Sequence, residues 1–433
     1  MSDPAAATTS SSSVDGGEPL LDVVDLHTHF PVRGGLLSRH KDVVRAVDGV
    51  TFDIQPGEVF GLVGESGSGK TTLGRTLLKL ADPTSGSLIY QGRDIAGYDE
   101  KQMRPLRREL ALVFQDPNAS LNPAMTVAQG VGHPLLIHGL VDGRAQMRER
   151  VATMLERVGL TPGERFLDIY PQDLSGGQKQ RLVIARALIT EPKFVVADEP
   201  VAALDMSVRA RVLELMLELQ RDLGLTYLFI THDLATARFL CDRIGILYLG
   251  NMVEWGDADS LFDDPQHPYT RSLLDAIPLP DPRRRDRDKN LPVGEMPDAQ
   301  TPPKGCRFHP RCPVAFEPCG WEGADLLAFF ERRWTVVDGD QVESELAATG
   351  SLQAADLRDD GVRFDAGNPV ALSKLLEQLR TEQAHPLFDA VTGIERDGGG
   401  IAVTFGDGPE PDLQTIAGRQ VACHLHGTVP RER

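Results

Sequence analysis

A glycine-rich loop constrains this chain more than any other feature. The residues GESGSGKT at 64–71 match the pattern G-x-x-x-x-G-K-[ST], and they stand between a strand-like apolar run and a run with helical spacing. Glycines let backbone N–H groups point inward around phosphates, and a helix start adds a favourable dipole. We expect Lys70 to reach the β- and γ-phosphates and the Thr71 hydroxyl to ligate Mg²⁺. The predicted phosphate-binding residues are Gly64, Glu65, Ser66, Gly67, Ser68, Gly69, Lys70, Thr71 and Thr72.

The loop by itself indicates only a nucleoside triphosphate, and its plainer interpretation is a glycine-rich turn before a helix. A second feature is the acidic pair Asp198-Glu199, which ends the apolar run at 194–197. A carboxylate at a strand tip beside the loop suits the magnesium shell, which points to Asp198. Its neighbour Glu199 is placed to polarise an attacking water. Two exposed acids at a strand end are also common in an acidic protein, so this pair is weak alone.

Apolar patterning predicts an α/β layer fold from Leu20 to about Pro278. The predicted elements are a half-exposed strand pair at 45–58, buried strands at 59–64, 193–200 and 225–233, and helices at 73–80, 148–158 and from Ser207 to Gly224. Beyond Pro278 the apolar residues no longer show the regular spacing of strands and helices. We expect a disordered tail at 1–19, a linker at 279–304, and mixed structure after it, with a helix at 370–380 and a strand at 400–407.

Composition narrows the function classes. The chain has 433 residues and a formal net charge of -18, which argues against bulk attraction to nucleic acid. The negative net charge is explained by a well-solvated surface. A more specific explanation is adaptation to a cytoplasm with a high salt concentration. The N-terminus lacks the basic start and apolar core of a secretory signal, and no stretch of about 18 apolar residues appears. We therefore expect any membrane role to act through partner subunits.

Further motifs follow the loop in a set order. The chain carries Gln115 in VFQDP, LSGGQ at 174–178, VVADE at 195–199, ALD ending at Asp205, and THD around His232. With the phosphate loop, these elements closely resemble the ATP-binding-cassette (ABC) family, over residues 20 to about 278. The resemblance implies a P-loop NTPase cassette with a helical signature subdomain, followed by a cysteine-bearing C-terminal extension at 305–433.

The resemblance also implies residue roles, because ABC domains work as head-to-tail pairs. Glu199, His232 and Gln115 become the expected catalytic residues, and Gln115 joins Thr71 and Asp198 at the magnesium. The signature would contact nucleotide held mainly by the partner, and the turn at Asp205 would cross the dimer seam. The expected signature contacts are Ser175, Gly176, Gly177 and Gln178. Phe30 and His40 are both candidates for the residue that stacks on the adenine ring.

Three more segments resemble the oligopeptide/dipeptide branch of importer ATPases. They are DPNASLNP at 116–123, QHPYT at 266–270 and GCRFHPRCP at 305–313. This resemblance implies ATP hydrolysis that energises peptide import at the cytoplasmic face of the membrane. It implies two permease subunits, an extracytoplasmic binding protein and a second, different ATPase as partners, with no nucleic acid. Alternatives are the same motor for nickel, sugar or another small solute, and a soluble non-transport ABC ATPase.

Four of the five cysteines lie beyond the cassette: Cys306, Cys312, Cys319 and Cys423. Their spacing is not C-x2-C, so a zinc ribbon is a poor match. Four thiolates can also hold an iron–sulfur cluster, and some members of the branch carry a [4Fe–4S] centre there. The alternatives are zinc, with His309, His424 and His426 as competing ligands, or four unconnected buried thiols. A segment at about 324–418 separates the third cysteine from the fourth and is interpreted as an insertion, whereas Cys241 is expected in the core.

Overall fold

The structure is a computed structural model that describes residues 17–32, 43–277, 292 and 294–427. Most of the predicted tail at 1–19, roughly the first half of the predicted linker at 279–304, and His40 lie outside these residues. The described part contains sixteen strands and thirteen α-helices.

The largest layer is an eight-stranded mixed sheet. Its strands, in spatial order, are β15 (Leu413–Ile416), β16 (Arg419–Ala422), β10 (Asn251–Asp257), β9 (Arg243–Tyr248), β3 (Val59–Val63), β8 (Thr226–Thr231), β7 (Phe194–Asp198) and β6 (Leu110–Val113). The strands from β9 to β6 run parallel, and the pairs beyond β9 are antiparallel. Strands β3, β7 and β8 are buried at every residue, which explains their unbroken apolar runs.

A four-stranded antiparallel sheet packs on this layer through a shared apolar core. Its strands, in spatial order, are β2 (Val43–Ile54), β1 (Leu21–Pro31), β4 (Ser85–Tyr90) and β5 (Arg93–Asp94). The predicted strand pair at 45–58 was wrong. The apolar alternation belongs to one long strand, β2, which pairs with β1, and the turn at Pro56-Gly57 leads directly into β3.

Helices cover the sheets and build a helical region between β6 and β7. The helices of the N-terminal part are α1 (Lys70–Leu77), α2 (Glu100–Met103), α3 (Pro117–Ser120), α4 (Val127–Ile137), α5 (Arg144–Arg157), α6 (Gly176–Leu188), α7 (Met206–Leu223), α8 (Leu234–Leu240), α9 (Ala258–Asp263) and α10 (Pro268–Ala276). Helices α3 to α6 pack on one another and form the helical subdomain that the sequence predicted. Helix α7 ends at Gly224 in the left-handed conformation, as expected of a C-cap glycine.

A smaller α+β unit lies between the third and fourth C-terminal cysteines. Its antiparallel sheet has the order β11 (Asp356–Arg358), β12 (Gly361–Phe364), β14 (Gly400–Phe405) and β13 (Val391–Asp397). Helices α11 (Gly323–Arg333), α12 (Gly339–Thr349) and α13 (Pro369–Thr381) complete it. The hairpin β15–β16 then leaves this unit and extends the main sheet beside β10.

Candidate functional site

Four chain segments meet at one edge of the main sheet. Strand β3 leads into the glycine-rich loop, β6 into Gln115, β7 into Glu199 and β8 into His232. The strands are parallel and in register, with Val63 opposite Thr231 and Asp198 opposite Ile230. Their carboxyl ends therefore deliver the predicted residues to a common place, which is where open α/β sheets bind ligands.

The glycine-rich loop needs two of its glycines for steric reasons. A Cβ added at Gly64 would lie 2.2 Å from the backbone oxygen of Leu247, and one at Gly69 would lie 2.0 Å from that of Ala46. Gly69 also has φ of 103°, a conformation that L side chains rarely adopt. It precedes α1, so the loop ends at a helix N-terminus suited to phosphate.

Lys70 lies inside the loop and is only 6% exposed. Its Nζ donates to the backbone oxygens of Gly64 and Glu65, both at 2.8 Å. Burial lowers the pKa of Lys70, and the surrounding acids, Glu199 foremost, offset this only in part. The lysine is therefore a desolvated ammonium bonded only to neutral groups, which favours its pairing with an anion such as a phosphate.

The expected magnesium ligands are adjacent. The Thr71 hydroxyl donates to Asp198 Oδ1 at 3.1 Å, across 127 positions of sequence. Burial raises the pKa of Asp198, the bond from Thr71 lowers it, and the charge of Glu199 raises it again. A buried carboxylate beside a second acid is stabilised by a cation, so the pair can receive Mg²⁺ together with phosphate oxygens.

Glu199 is fixed by two side chains that the sequence grouped with it. Gln115 Nε2 donates to Glu199 Oε2 at 3.1 Å, and His232 Nδ1 lies 3.2 Å from Glu199 Oε1. The backbone of Glu199 has φ of 44°, and its N–H donates to the oxygen of Ile230 at 3.0 Å. His232 is 62% exposed, so the carboxylate faces an open region where a water can enter.

The signature residues form a helix start of their own. Ser175 is the N-cap of α6, and its side chain and that of Gln178 bond each other's backbone N–H in a capping box. A Cβ at Gly177 would lie 2.8 Å from a methyl group of Val208 in α7, so a side chain there would push the two helices apart. Ser175 and Gly176 are exposed.

Among the described residues, no hydrogen bond or ion pair joins the signature to the phosphate loop. Asp205 is likewise exposed, at the N-cap of α7 and without a side-chain cap bond. The structure therefore brings together the loop, Asp198, Glu199, Gln115 and His232. It leaves the signature and Asp205 as a separate surface.

The four C-terminal thiols line one pocket, together with Phe308 and Phe316. Cys306 N donates to the oxygen of Cys319 at 2.9 Å, and β16 returns the chain to Cys423. Burial raises the pKa of Cys312 to about 12 and that of Cys423 to about 11. Among the described residues, no three of these sulfurs lie within 4.8 Å of one another.

The predicted competing ligands are engaged elsewhere. His309 uses both ring nitrogens, one with the oxygen of Cys306 at 2.8 Å and one with Asp325 at 3.0 Å. His424 and His426 bond the backbone oxygens of Pro409 and Gln266. Cys241 is buried at the end of α8, where its sulfur touches the position of a Cβ on Gly61, so its predicted core role is confirmed.

Sequence reasoning missed two residues at the phosphate loop. Tyr269 accepts a hydrogen bond from Glu65 N–H, and Arg311 pairs with the Glu65 carboxylate. Both lie in segments that the sequence singled out, at 266–270 and 305–313, but without a role. Phe30, in β1, is 44% exposed, and adenine stacking stays a prediction.

Comparison with known proteins identifies the family. Residues 47–202 match the family model described as ABC transporter, and residues 253–319 match the model described as oligopeptide/dipeptide transporter, C-terminal region. The putative oligopeptide transport ATP-binding protein YkfD of Bacillus subtilis is 48% identical over 303 residues, which cover 70% of this chain and 90% of that protein. The oligopeptide transport ATP-binding protein AppF of the same organism is 46% identical and covered to 92%.

The chain is an ABC transporter ATPase. Its C-terminal match assigns it to the oligopeptide/dipeptide branch, as the motifs predicted. A solved structure, cbiO1 from Clostridium perfringens, aligns at 30% identity with a TM-score of 0.49 over 57% of this chain and 92% of that one. The family match and the relatives, at 48% and 46% identity, confirm the predicted ATPase class and the general use of ATP and Mg²⁺ by an ABC ATPase. Asp205, His232 and Cys423 lie outside both family matches.

Proposed function

We propose that this ABC ATPase energises the import of dipeptides or oligopeptides. The observation that carries this is the match of residues 253–319 to the transporter-specific C-terminal region, supported by relatives named for oligopeptide transport. The ATPase cassette alone is compatible with the transport of any solute and does not indicate which one is carried. Nickel, a sugar or another small solute is the alternative cargo.

The test is uptake by cells that carry the chain with its co-purifying membrane subunits. We expect labelled dipeptides or oligopeptides to accumulate with the wild-type chain and not with a Lys70→Met variant. Labelled nickel and sugar serve as competing arms. Nickel or sugar uptake without peptide uptake contradicts the proposed cargo.

In the proposed mechanism the residues at the sheet edge bind the phosphates, bind Mg²⁺ or activate water, and Gln115 contributes to the last two tasks. Lys70 and the loop N–H groups bind the β- and γ-phosphates, while Thr71, Gln115 and Asp198 bind Mg²⁺ and its water shell. Glu199 polarises the attacking water. The Glu199 carboxylate is itself held by Gln115 and His232, each at about hydrogen-bond distance. Phosphoryl transfer needs mainly positioning and charge stabilisation, which this arrangement supplies.

The proposed assembly is a head-to-tail pair of cassettes, with a second, different ATPase as partner. The exposed signature and Asp205 support this, because they have no bonded contact with the described phosphate loop of their own chain. Ser175, Gly177 and Asp205 would complete the nucleotide site of the partner.

The remaining proposed partners are two permease subunits and an extracytoplasmic binding protein, which importers of peptides require. Within the described residues, none of the helices is long and apolar enough to cross a bilayer. We place the chain at the cytoplasmic face of the membrane, docked on the permeases near residues 116–123. Lys179 of α6 donates to Asn118 Oδ1 at 2.9 Å, which ties this segment to the signature helix.

We also propose that the four C-terminal cysteines hold a [4Fe–4S] cluster. The residues fit the group, since four thiols, three of them buried and Cys312 partly buried, line one pocket, and His309 has both ring nitrogens bonded to other groups. Tetrahedral zinc, with Zn–S of about 2.3 Å, would hold its sulfurs roughly 3.8 Å apart. Among the described residues, no three of these sulfurs lie within 4.8 Å of one another, which is compatible with the wider spacing that a cluster needs. A bound cluster supplies one-electron redox chemistry and a cross-link between four chain segments.

Anaerobic purification followed by iron, sulfide and zinc analysis tests the cluster. We expect about four irons and four sulfides per chain. Cys312→Ser should lose them, whereas Cys241→Ser, which changes a buried cysteine outside the pocket, should keep them. Stoichiometric zinc without sulfide, or a metal-free and fully active protein, contradicts the cluster.

A further inference from the structure

Two segments of the C-terminal half converge on one residue of the phosphate loop. Glu65 is held from 266–270 by Tyr269 and from 305–313 by Arg311. These residues are separated from Glu65 by 204 and 246 positions of sequence. Neither segment has a chemical step in the ATPase mechanism, so their contact with the loop calls for an explanation.

Tyr269 lies in α10 and is fully buried. Its hydroxyl accepts a hydrogen bond from the backbone N–H of Glu65 at 3.1 Å. Its ring packs on Tyr248 and on Phe308, with ring centroids 4.7 and 5.2 Å away. The hydroxyl is therefore aimed at the loop by a rigid aromatic cluster that includes a residue of the four-thiol pocket.

The start of α10 fixes Tyr269 along its own helix. His267 is the N-cap, and its Nδ1 accepts from the N–H of Tyr269 at 3.0 Å. The N–H groups of Gln266 and His267 donate to the two carboxylate oxygens of Glu254 at 2.8 and 2.9 Å. Glu254 is fully buried in β10, so the helix start is anchored to the main sheet.

Arg311 provides the second contact, and it is only 8% exposed. Its Nη1 lies 3.1 and 3.2 Å from the two carboxylate oxygens of Glu65 and donates to the Tyr248 hydroxyl at 3.4 Å. Burial lowers the pKa of Arg311, but its bonds to Tyr248 and Glu65 outweigh this and raise the pKa above its ordinary value. The pair is thus a partly desolvated, charge-assisted contact rather than an exposed one.

Glu65 transmits these contacts to the phosphate-binding lysine. Its N–H is held by Tyr269, its carboxylate by Arg311, and its backbone oxygen accepts from Lys70 Nζ at 2.8 Å. A shift of Glu65 therefore shifts the group on which Lys70 rests.

Arg307 secures the far side of the loop. It donates to the backbone oxygen of Leu249 at 2.7 Å and pairs with Asp48, whose pKa falls to about 2 because the bonds from Arg307 and two histidines outweigh the effect of burial. Gly250, which follows Leu249 in the chain, donates its N–H to the backbone oxygen of Ser68 at 2.9 Å. The segment between Cys306 and Cys312 thus contacts the loop directly at Glu65 and is linked to Ser68 indirectly, through Leu249 and Gly250.

We propose that Tyr269 and Arg311 form a loop clamp, a pair of positioning residues that hold the phosphate loop in its ATP-binding shape. The clamp makes the C-terminal segments part of the nucleotide site without touching the nucleotide. It rests on ATP binding by the cassette and not on the transported solute or on the occupant of the thiol pocket.

The test is the equilibrium binding of ATP to the full-length chain, measured by titration calorimetry. All variants carry Glu199→Gln as well, which prevents ATP turnover during the measurement. Tyr269→Phe removes one oxygen and keeps the aromatic packing, so it should raise the Kd for ATP about five-fold. Arg311→Met should raise the Kd about ten-fold, because it removes a charge-assisted bond. In a double-mutant cycle with Glu65→Gln, the double variant should bind no more weakly than the Arg311→Met single variant.

Arg333→Met is the matched control. It removes the ion pair with buried Glu345, at 2.9 Å, which lies in the C-terminal unit. We expect this variant to melt at a lower temperature and to bind ATP like the wild type. Unchanged Kd values for Tyr269→Phe and Arg311→Met overturn the clamp, as does an equal loss of affinity in Arg333→Met. If the wild-type chain supports uptake of nickel or sugar and not of peptides, the proposed cargo is contradicted, while the clamp is still judged by the ATP Kd values alone.

Discussion

At the scale of single residues, the site is defined by how Glu199 is restrained. Glu199 has φ of 44°, and a positive φ is uncommon for residues other than glycine. Such backbone strain persists only where surrounding contacts hold the residue in place. Here those contacts are the backbone bond to Ile230 and the side chains of Gln115 and His232. The carboxylate is thereby held between Gln115 and His232 at the carboxyl edge of the main sheet.

We predict that Glu199→Gln lowers ATP turnover by at least about 100-fold, because an amide cannot polarise water as a base. The amide keeps the shape of the side chain, so ATP should stay bound and hold a closed dimer. Phosphate release and size-exclusion chromatography with light scattering measure the two effects. Glu218→Gln, an exposed acid on α7, is the control and should behave like the wild type. Undiminished turnover of Glu199→Gln would reject the role of Glu199.

Sequence was sufficient to expect these groups together: Glu199 ends a patterned apolar strand, and Gln115 and His232 follow from the ordered motifs of the resemblance. Their catalytic roles stay predictions. Sequence was not sufficient for Tyr269 and Arg311. Their partner Glu65 lies more than 200 positions away, and nothing in the local pattern of 266–270 or 305–313 specifies that distance. Side-chain pairing over such separations is decided by how the sheets and the C-terminal segments pack.

At the scale of elements, helix α6 has two tasks that can be separated. Its capping box at Ser175 stabilises the helix start, and the same hydroxyl is the one proposed to contact the partner's nucleotide. Helix α4 begins with an equivalent capping box, formed by Thr126 and Gln129. The two helices pack on each other in the same subdomain, so they provide a matched comparison.

We predict that Ser175→Ala lowers ATPase activity by about ten-fold or more while ATP binding to the isolated chain stays unchanged, since the hydroxyl is not bonded to its own described phosphate loop. Thr126→Ala should cost a similar stability, about 1 kcal/mol, with normal ATPase activity. Thermal unfolding, binding and phosphate release of both variants are the measurements. Equal ATPase activity in the two variants would mean that Ser175 acts only as a helix cap.

At the scale of the whole molecule, the C-terminal region is interleaved with the cassette. The hairpin β15–β16 pairs with β10 through Glu254 and Trp255, and buried Arg419 donates to the backbone oxygen of Ser260 within α9. The sequence did not reveal this, because strands of four residues with alternating polar positions resemble loops. The domain boundaries at 278 and 305 stay predictions.

The unit between Cys319 and the hairpin has the geometry of an insertion. Gly320 and Gly408 meet, since a Cβ added at Gly408 would lie 2.0 Å from the Cα of Gly320. The chain therefore leaves and returns at nearly the same point, which is the condition under which an inserted unit can be removed. Buried contacts cross the boundary around His309, which bonds Asp325 at 3.0 Å and packs on Trp321 with ring centroids 4.9 Å apart. Trp321 Nε1 also donates to the oxygen of Phe316 at 2.9 Å.

We predict that a chain in which residues 321–407 are replaced by a glycine–serine pair still folds and binds ATP with a Kd within about three-fold of the wild type. It should melt a few degrees lower, because His309 loses a buried hydrogen bond worth about 1–3 kcal/mol. The full-length Asp325→Asn variant removes only the carboxylate charge, because its amide can still bond His309, and it should show a smaller shift than the shortened chain. Calorimetric ATP binding, thermal unfolding and iron content are measured on both. If the shortened chain cannot bind ATP while Asp325→Asn can, the unit is an integral part of the cassette core and not an insertion, because its removal would then have disturbed the loop clamp through the shared segment at 305–320.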